Sequence, residues 1–131
     1  LAALLEWNDL TLSAPTAASI SAKDQEAMQS LKHFLLQNYS TKVDLQRLAQ
    51  MCYMSKSKLT YLFRMLYGTT IYEFILACRI DRAKELLADR EKKLSEIAAL
   101  VGYERQSSFS AAFHQKTGVT PNEFRRQFWN K

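Results

Sequence analysis

The sequence predicts an all-α fold of seven helices, in which one short-helix, long-helix unit is used twice on either side of a long central helix. Three observations carry this. From about residue 24 onward, apolar residues recur at three- and four-residue spacing, the period of a helix face rather than a strand. The 131 residues include only 3 Gly and 2 Pro, too few for the tight turns that an all-β chain requires. Hydrophobic residues make up 47%, enough to build a core in a chain of single-domain length, which sets intrinsic disorder aside.

Taken in order, residues 8–20 (NDLTLSAPTAASI) are small, polar and broken by Pro15, and read as a linker. Ser21 and Asp24 mark a helix start, and Met28, Leu31, Leu35 and Tyr39 keep the period through a first helix of about 24–39. Asp44 caps a short second helix, about 45–52, with Leu45, Leu48, Ala49 and Cys52 on one face. Ser55 restarts a helix over 56–67 whose Leu59, Leu62, Phe63 and Leu66 form an i, i+3, i+4, i+7 stripe, and Gly68 stands where a left-handed cap belongs. Thr70 and Glu73 form a capping box for the central helix, about 71–88. That helix is apolar on two sides, with Ile71, Ile75 and Cys78 on one and Leu76, Ile80, Ala83 and Leu87 on the other, so it is packed from two sides. DREKK (89–93) is a solvated turn. A short helix of about 95–101 turns inward Ile97, Ala98 and Val101 and ends at Gly102; another, over 106–117, buries Phe109, Ala112 and Phe113 and ends at Gly118. Thr120, Pro121 and Glu123 start a last helix that runs to about Phe128.

Residues 56–74 (KSKLTYLFRMLYGTTIYEF) align without gaps on 106–124 (QSSFSAAFHQKTGVTPNEF), with identities at Ser57/Ser107, Phe63/Phe113, Gly68/Gly118, Thr70/Thr120, Glu73/Glu123 and Phe74/Phe124. Upstream the register is one residue shorter, Leu48-Ala49 matching Ile97-Ala98, so the second turn is one residue longer. A short helix carrying a small Ala, a tight turn and an amphipathic helix make the helix-turn-helix pattern. Its duplication is a stronger signal than either copy alone. The central helix would then hold the two units apart, and recognition helices in successive major grooves would sit about 34 Å from one another.

Charge follows the repeat. The net charge is +5, but it is unevenly placed. Over residues 41–68, Lys42, Arg47, Lys56, Lys58 and Arg64 face Asp44 alone, a net +4. Residues 69–101 balance to zero, and residues 102–131 carry a net +3. Two basic blocks around a neutral one are the footprint of a protein that meets a polyanion twice. No apolar run approaches the roughly 18 residues of a membrane span. LAALLEW lacks the basic region and cleavage site of a signal peptide, and a start at Leu1 suggests a piece of a longer protein. Cys52 and Cys78 fall in apolar helical pattern with no ligand spacing and read as reduced, packed thiols. His33 and His114 stand apart from both cysteines. No phosphate-binding glycine loop, dinucleotide fingerprint or zinc-protease motif occurs, so neither metal nor cofactor is expected and nothing points to catalysis.

The segments LAQMCYMSKSKLTYLFRMLYGTTIYEFILACRIDRAKELL and IAALVGYERQSSFSAAFHQKTGVTPNEFRR resemble the AraC/XylS-type transcription regulators, over about residues 25–128. The most specific elements are Arg79-Ile80 with Ala83, the IAxxVGY turn at 97–103, and FxxxFxxxxGVTPxEFR at 109–125. The resemblance implies a bacterial, cytoplasmic, nucleoid-associated DNA-binding domain that lies C-terminal to a sensor domain and most often activates transcription. It implies residues 1–22 as the tail and linker from that upstream domain, and 23–131 as the bipartite helix-turn-helix domain: unit one about 24–69, central helix about 70–88, unit two about 94–131. Double-stranded DNA and RNA polymerase are the implied partners, and an effector ligand, where there is one, would bind the upstream domain. MSKSKL and YGTTIYEF also resemble regulators of siderophore uptake. Two positions depart from the family pattern. Tyr53 stands in the first turn where the second has Gly, so that turn is either less ideal or relies on left-handed strain. Ala111 replaces a long polar side chain found in some relatives, which concentrates base reading at the N-terminus of the second recognition helix.

Burying the apolar stripes turns Lys56, Ser57, Thr60, Tyr61 and Arg64 outward on the first recognition helix, and Gln106, Ser107, Ser110, Ala111 and His114 on the second. Residues near a recognition-helix N-terminus reach base edges. Lys56, Ser57, Thr60 and Tyr61, with Arg105, Gln106, Ser107 and Ala111, are therefore the expected base readers: Gln suits adenine, Arg guanine, and Ala a thymine methyl. Lys42, Lys58, Arg64, His114, Lys116, Thr120 and Arg125 are the expected phosphate anchors. Arg79 is expected to pair with Glu85 or another acid, and Arg125 and Arg126 either bind phosphate or complement the end of the last helix. Two other readings share part of this pattern: a helical interaction module whose basic faces meet an acidic protein, and the DNA-binding part of an alkyl-transfer repair enzyme. The lack of a four-cysteine zinc cluster stands against the latter.

Overall fold

The computed structural model describes residues 20–129. Among them are seven α-helices and no strand: α1 (Ala22–Asn38), α2 (Leu45–Met51), α3 (Lys56–Tyr67), α4 (Ile71–Leu87), α5 (Leu94–Val101), α6 (Gln106–Thr117) and α7 (Pro121–Trp129). The all-α expectation holds, and each helix lies within about two residues of its expected span. The linker reading of residues 8–20 and the reading of LAALLEW fall on residues outside the described ones, except at Ile20, which is buried.

Side chains start most of the helices. The Ser21 hydroxyl accepts from the Asp24 N–H at 3.1 Å, the Asp44 carboxylate from Gln46 at 3.0 Å, and the Ser55 hydroxyl from Lys58 at 3.1 Å. Before α4 the Thr70 hydroxyl accepts from the Glu73 N–H while the Glu73 carboxylate accepts from the Thr70 N–H, both at 3.1 Å. Thr120 and Glu123 repeat this reciprocal pair before α7, at 3.1 and 2.8 Å. At α5, Glu96 accepts from the Lys93 N–H at 2.8 Å. Each pairing removes orphan donors of a first turn.

The helix ends explain the offset between the repeats. After α2, the Tyr53 N–H donates to Gln50 and the Met54 N–H to Ala49; after α5, the Gly102 N–H donates to Ala99 and the Tyr103 N–H to Ala98. Both are Schellman turns, and their pivots, Tyr53 (φ 56°) and Gly102 (φ 111°), are left-handed. One residue separates Tyr53 from the cap Ser55, but two separate Gly102 from Arg105, the residue that precedes α6. The second turn is longer by that residue. The recognition helices end alike, with the Gly68 and Gly118 N–H groups donating at 2.8 Å to Arg64 and His114.

The chain forms two compact units, one of the described residues up to Leu35 with Val43–Phe74, the other of Leu36–Lys42 with Ile75 onward. The division falls inside α4, and the stretch Leu36–Lys42 belongs with the second unit. In the first, α1 buries Met28, Leu31 and Leu35, α2 buries Leu48 and Ala49, and α3 buries Leu59, Leu62 and Phe63. Phe63 meets the Tyr67 and Phe74 rings edge-on at 4.9 and 5.7 Å, a favoured aromatic arrangement. Leu66, expected inside, is half-buried. In the second unit Ile80, Ala83, Leu87, Ile97, Ala98, Val101, Phe109 and Phe113 form one core, with Leu76, Tyr103, Val119 and Phe124 packed against it. Ala49 and Ala98, the small residues of the two first helices, are both buried, as a close helix crossing requires.

Candidate nucleic-acid interface

Each recognition helix has one apolar face in its core and an opposite face in solvent. On α3, burial of Leu59, Leu62 and Phe63 leaves Lys56, Ser57, Lys58, Thr60 and Arg64 exposed. On α6, burial of Phe109 and Phe113 leaves Gln106, Ser107, Ala111, His114 and Lys116 exposed, with Arg105 exposed just before. Lys42 and Thr120 are exposed in the loops before α2 and α7. Each unit thus gathers its own expected contacts around its own recognition helix.

Several expected residues have protein partners. Tyr61 is half-buried, and desolvation pushes its phenol above the ordinary value, so it is neutral and can donate a hydrogen bond. The Lys58 ammonium lies 3.2 Å from the half-buried Asp24 carboxylate, and its own exposed end could exchange that partner for a phosphate. The Thr120 hydroxyl accepts at the start of α7 and keeps its own proton to give. Ser110, expected outward, is half-buried.

Two arginines have work that sequence reasoning missed. Arg125 donates from Nε to the Leu87 carbonyl at 3.1 Å, and from Nη2 to the carbonyls of Asp89 and Lys92 at 3.1 and 2.8 Å. It is half-buried and gathers the carbonyls at and beyond the end of α4, a C-terminal capping role. Arg79 does not pair with Glu85. Its Nε donates to the Tyr39 carbonyl at 2.7 Å and its Nη2 to the Thr41 carbonyl at 3.2 Å. Glu85 is taken instead by Arg82, at 2.8 Å: a spacing of three puts two residues on one helix face, whereas six does not. A helical sequence shows such spacings, but not which distant carbonyl a guanidinium will meet.

The thiols of Cys52 and Cys78 are free and half-buried, and desolvation, joined at Cys78 by the charge of Asp81, raises both pKa values and keeps them protonated. Among the described residues there is no cluster of three or more His, Cys, Asp or Glu able to hold a metal, and no helix is long and apolar enough to cross a membrane.

The geometry has counterparts among known proteins. A family model described as a helix-turn-helix domain matches residues 48–127. The chain is similar to the probable transcriptional regulator LumQ of Photobacterium leiognathi, 32% identical over 119 residues that cover 87% of this chain and 48% of LumQ. It is 31% identical over 103 residues to AdaA of Bacillus subtilis (strain 168), a bifunctional transcriptional activator/DNA repair enzyme, covering 79% of this chain and 49% of AdaA. The chain therefore spans about half the length of these curated relatives. Among solved structures it resembles the C-terminal domain of AraT, a response regulator from Geobacillus stearothermophilus, with a TM-score of 0.70 and 30% identity, covering 82% of this chain and 86% of that one. The matched span takes in both turns and both recognition helices, and the chain belongs to the AraC-type family of helix-turn-helix domains.

Proposed function

We propose that this chain is the DNA-binding part of a transcription regulator, and that α3 and α6 each enter a major groove of one bipartite site. The observation that carries this is a single unit built twice. Both copies close the first helix on a Schellman turn and turn an exposed polar face outward from a recognition helix whose other face is core. Lys56, Ser57, Thr60 and Tyr61 on α3, and Arg105, Gln106, Ser107 and Ala111 at α6, read base edges. Lys42, Lys58, Arg64, His114, Lys116 and Thr120 bind phosphates. Arg125 is left out of the phosphate set because its Nε and Nη2 donate to main-chain carbonyls. In this reading the domain acts on a bacterial chromosome in the cytoplasm as part of an activator. RNA polymerase is the protein partner, and any effector acts through a part of the protein beyond the residues described.

Selection of binding sequences from random double-stranded DNA tests the proposal. The wild-type chain is expected to enrich a bipartite motif. Thr60→Ala and Gln106→Ala each relax preference at one end of it, by about 1–3 kcal/mol per base pair affected. Arg64→Ala is expected to lower the salt slope of binding by about one unit without changing the motif, and Lys58→Ala by less, since its ammonium leaves Asp24 to reach a phosphate. Binding that is entirely salt-driven, with no sequence enriched, would overturn the proposal in favour of an acidic protein partner.

A further inference from the structure

The guanidinium of Arg79 lies between two pieces of chain that are far apart in sequence. On one side it donates to the carbonyls of Tyr39 and Thr41, just past the end of α1. On the other its Cζ is 5.0 Å from the centroid of the Tyr103 ring. Tyr103 closes the second turn through its N–H bond to Ala98, at 2.8 Å, and its ring lies 6.0 Å from that of Phe109, the buried residue in the first turn of α6. The contact is close. A Cβ at Gly102 would come within 2.8 Å of the Ser40 carbonyl oxygen and 2.9 Å of Arg79 Cζ.

A flat, delocalised cation suits both sides at once. The guanidinium forks onto two carbonyls while its Cζ lies over an aromatic ring; an ammonium can also sit over a ring, but as a point charge it lacks the planar fork that fixes its orientation. The first turn has no matching clamp on its exposed pivot, since Tyr53 is 94% exposed. We propose that Arg79 is a positioning residue for the second recognition helix. Anchored on Tyr39 and Thr41, it sets Tyr103, and through Phe109 the angle at which the N-terminus of α6 meets DNA. The proposal rests on the reading of α6 as a DNA-reading helix. It adds a specificity determinant that is bonded to the protein's own main chain and lies outside the recognition helix.

The test compares the 131-residue chain with its Arg79→Lys, Arg79→Ala, Tyr103→Phe and Gln106→Ala variants. Sites are selected well below each variant's melting temperature, so that folded fractions are equal, and backbone amide shifts are recorded without DNA. The Arg79 variants are expected to lose about tenfold in discrimination at the α6 end of the motif and to keep the α3 end within about twofold. Tyr103→Phe, which keeps the ring, is expected to behave as wild type. In Arg79→Lys, the amides of Tyr103–Phe109 shift while those of Lys56 and Ser57 stay in place. Should Arg79→Ala not fold, Arg79→Lys carries the test. Equal loss at both ends, or an intact α6 end in a variant whose 103–109 amides do not move, would overturn the proposal and leave Arg79 as a residue of general stability. Failure of the DNA-reading assignment itself is recognised separately, by Gln106→Ala leaving the α6 end unchanged; the amide shifts then decide the positioning role alone.

Discussion

The two turns have the same hydrogen bonds and the same left-handed pivot, but the pivots are held there for different reasons. At Tyr53 the pivot is open to solvent, so the left-handed backbone is the sole demand, and an L-residue meets it at a cost of about 1–2 kcal/mol. At Gly102 the backbone lies against Ser40 and Arg79, and a Cβ has no room. One glycine-favouring position is thus a matter of torsion alone, the other of torsion and close approach. A turn's conformation does not by itself say how much a substitution will cost; what packs on it does.

The largest expected effect tests this directly. Gly102→Ala adds left-handed strain to a Cβ driven into the main chain at Ser40, and should destabilise the second unit by about 2–5 kcal/mol, seen as a lowered melting transition. If Gly102→Ala cost no more than the torsional part, the contact with Ser40 would be yielding and the contrast between the turns would collapse.

The helix starts give a second contrast. Ser55 caps α3 with its hydroxyl, whereas Arg105 stands at the same place before α6 with no side-chain cap. Ser55→Ala should cost about 1 kcal/mol, and Arg105→Ser should gain up to about the same in thermal unfolding. The gain in stability should come with a loss of DNA affinity, the sign of a residue kept for contact rather than for the fold. An unchanged affinity in Arg105→Ser would remove Arg105 from the interface.

What could be read in the sequence was what local chemistry controls. Helix spans followed from apolar spacing, and the reciprocal caps from Thr70/Glu73 and Thr120/Glu123. Comparing the two copies left the first turn either less ideal or dependent on a left-handed Tyr53, and it is the second, because repeat units need the same backbone even where their side chains differ. The outward faces of α3 and α6 followed from which residues were core, with Tyr61 and Ser110 less exposed than expected. Arg79 and Arg125 were not legible. Each meets carbonyls more than thirty residues away, and a main-chain carbonyl has no signature in the sequence. For Arg79 an acid six residues off, Glu85, was visible, and so invited the wrong pairing.

A smaller effect is expected back in the first turn. Tyr53→Gly relieves the left-handed strain but adds glycine's entropy to the unfolded chain, about 0.5–1 kcal/mol, and with almost no packing to lose the net is a stabilisation of about 0.5–1 kcal/mol. The first unit should therefore gain from the substitution that makes it more like the second. A lowered melting temperature would mean that the Tyr53 ring contributes more than its exposure indicates.

The subtlest contrast is between the two capping glutamates. The Thr70 N–H, then the hydroxyls of Thr69 and Thr70, lower the pKa of Glu73 below the usual carboxylate range, aided by Arg64. For Glu123 it is the Thr120 N–H first, then the Thr120 hydroxyl, Arg126 and His114. With both folded-state values below those of the unfolded chain, their stabilisation is complete above the unfolded value and fades as pH falls through the folded one. Glutamine keeps the capping acceptor but does not titrate. Glu73→Gln and Glu123→Gln should therefore leave melting near neutral pH almost unchanged and make its fall below about pH 5 shallower. The change should be greater at Glu73, where Thr69 adds a hydroxyl donor at 3.1 Å; the matching residue before Glu123 is Val119, which has none. Equal flattening at the two sites would show that the Thr69 bond contributes nothing to the carboxylate in solution, and that the two capping boxes, unlike the two turns, are interchangeable.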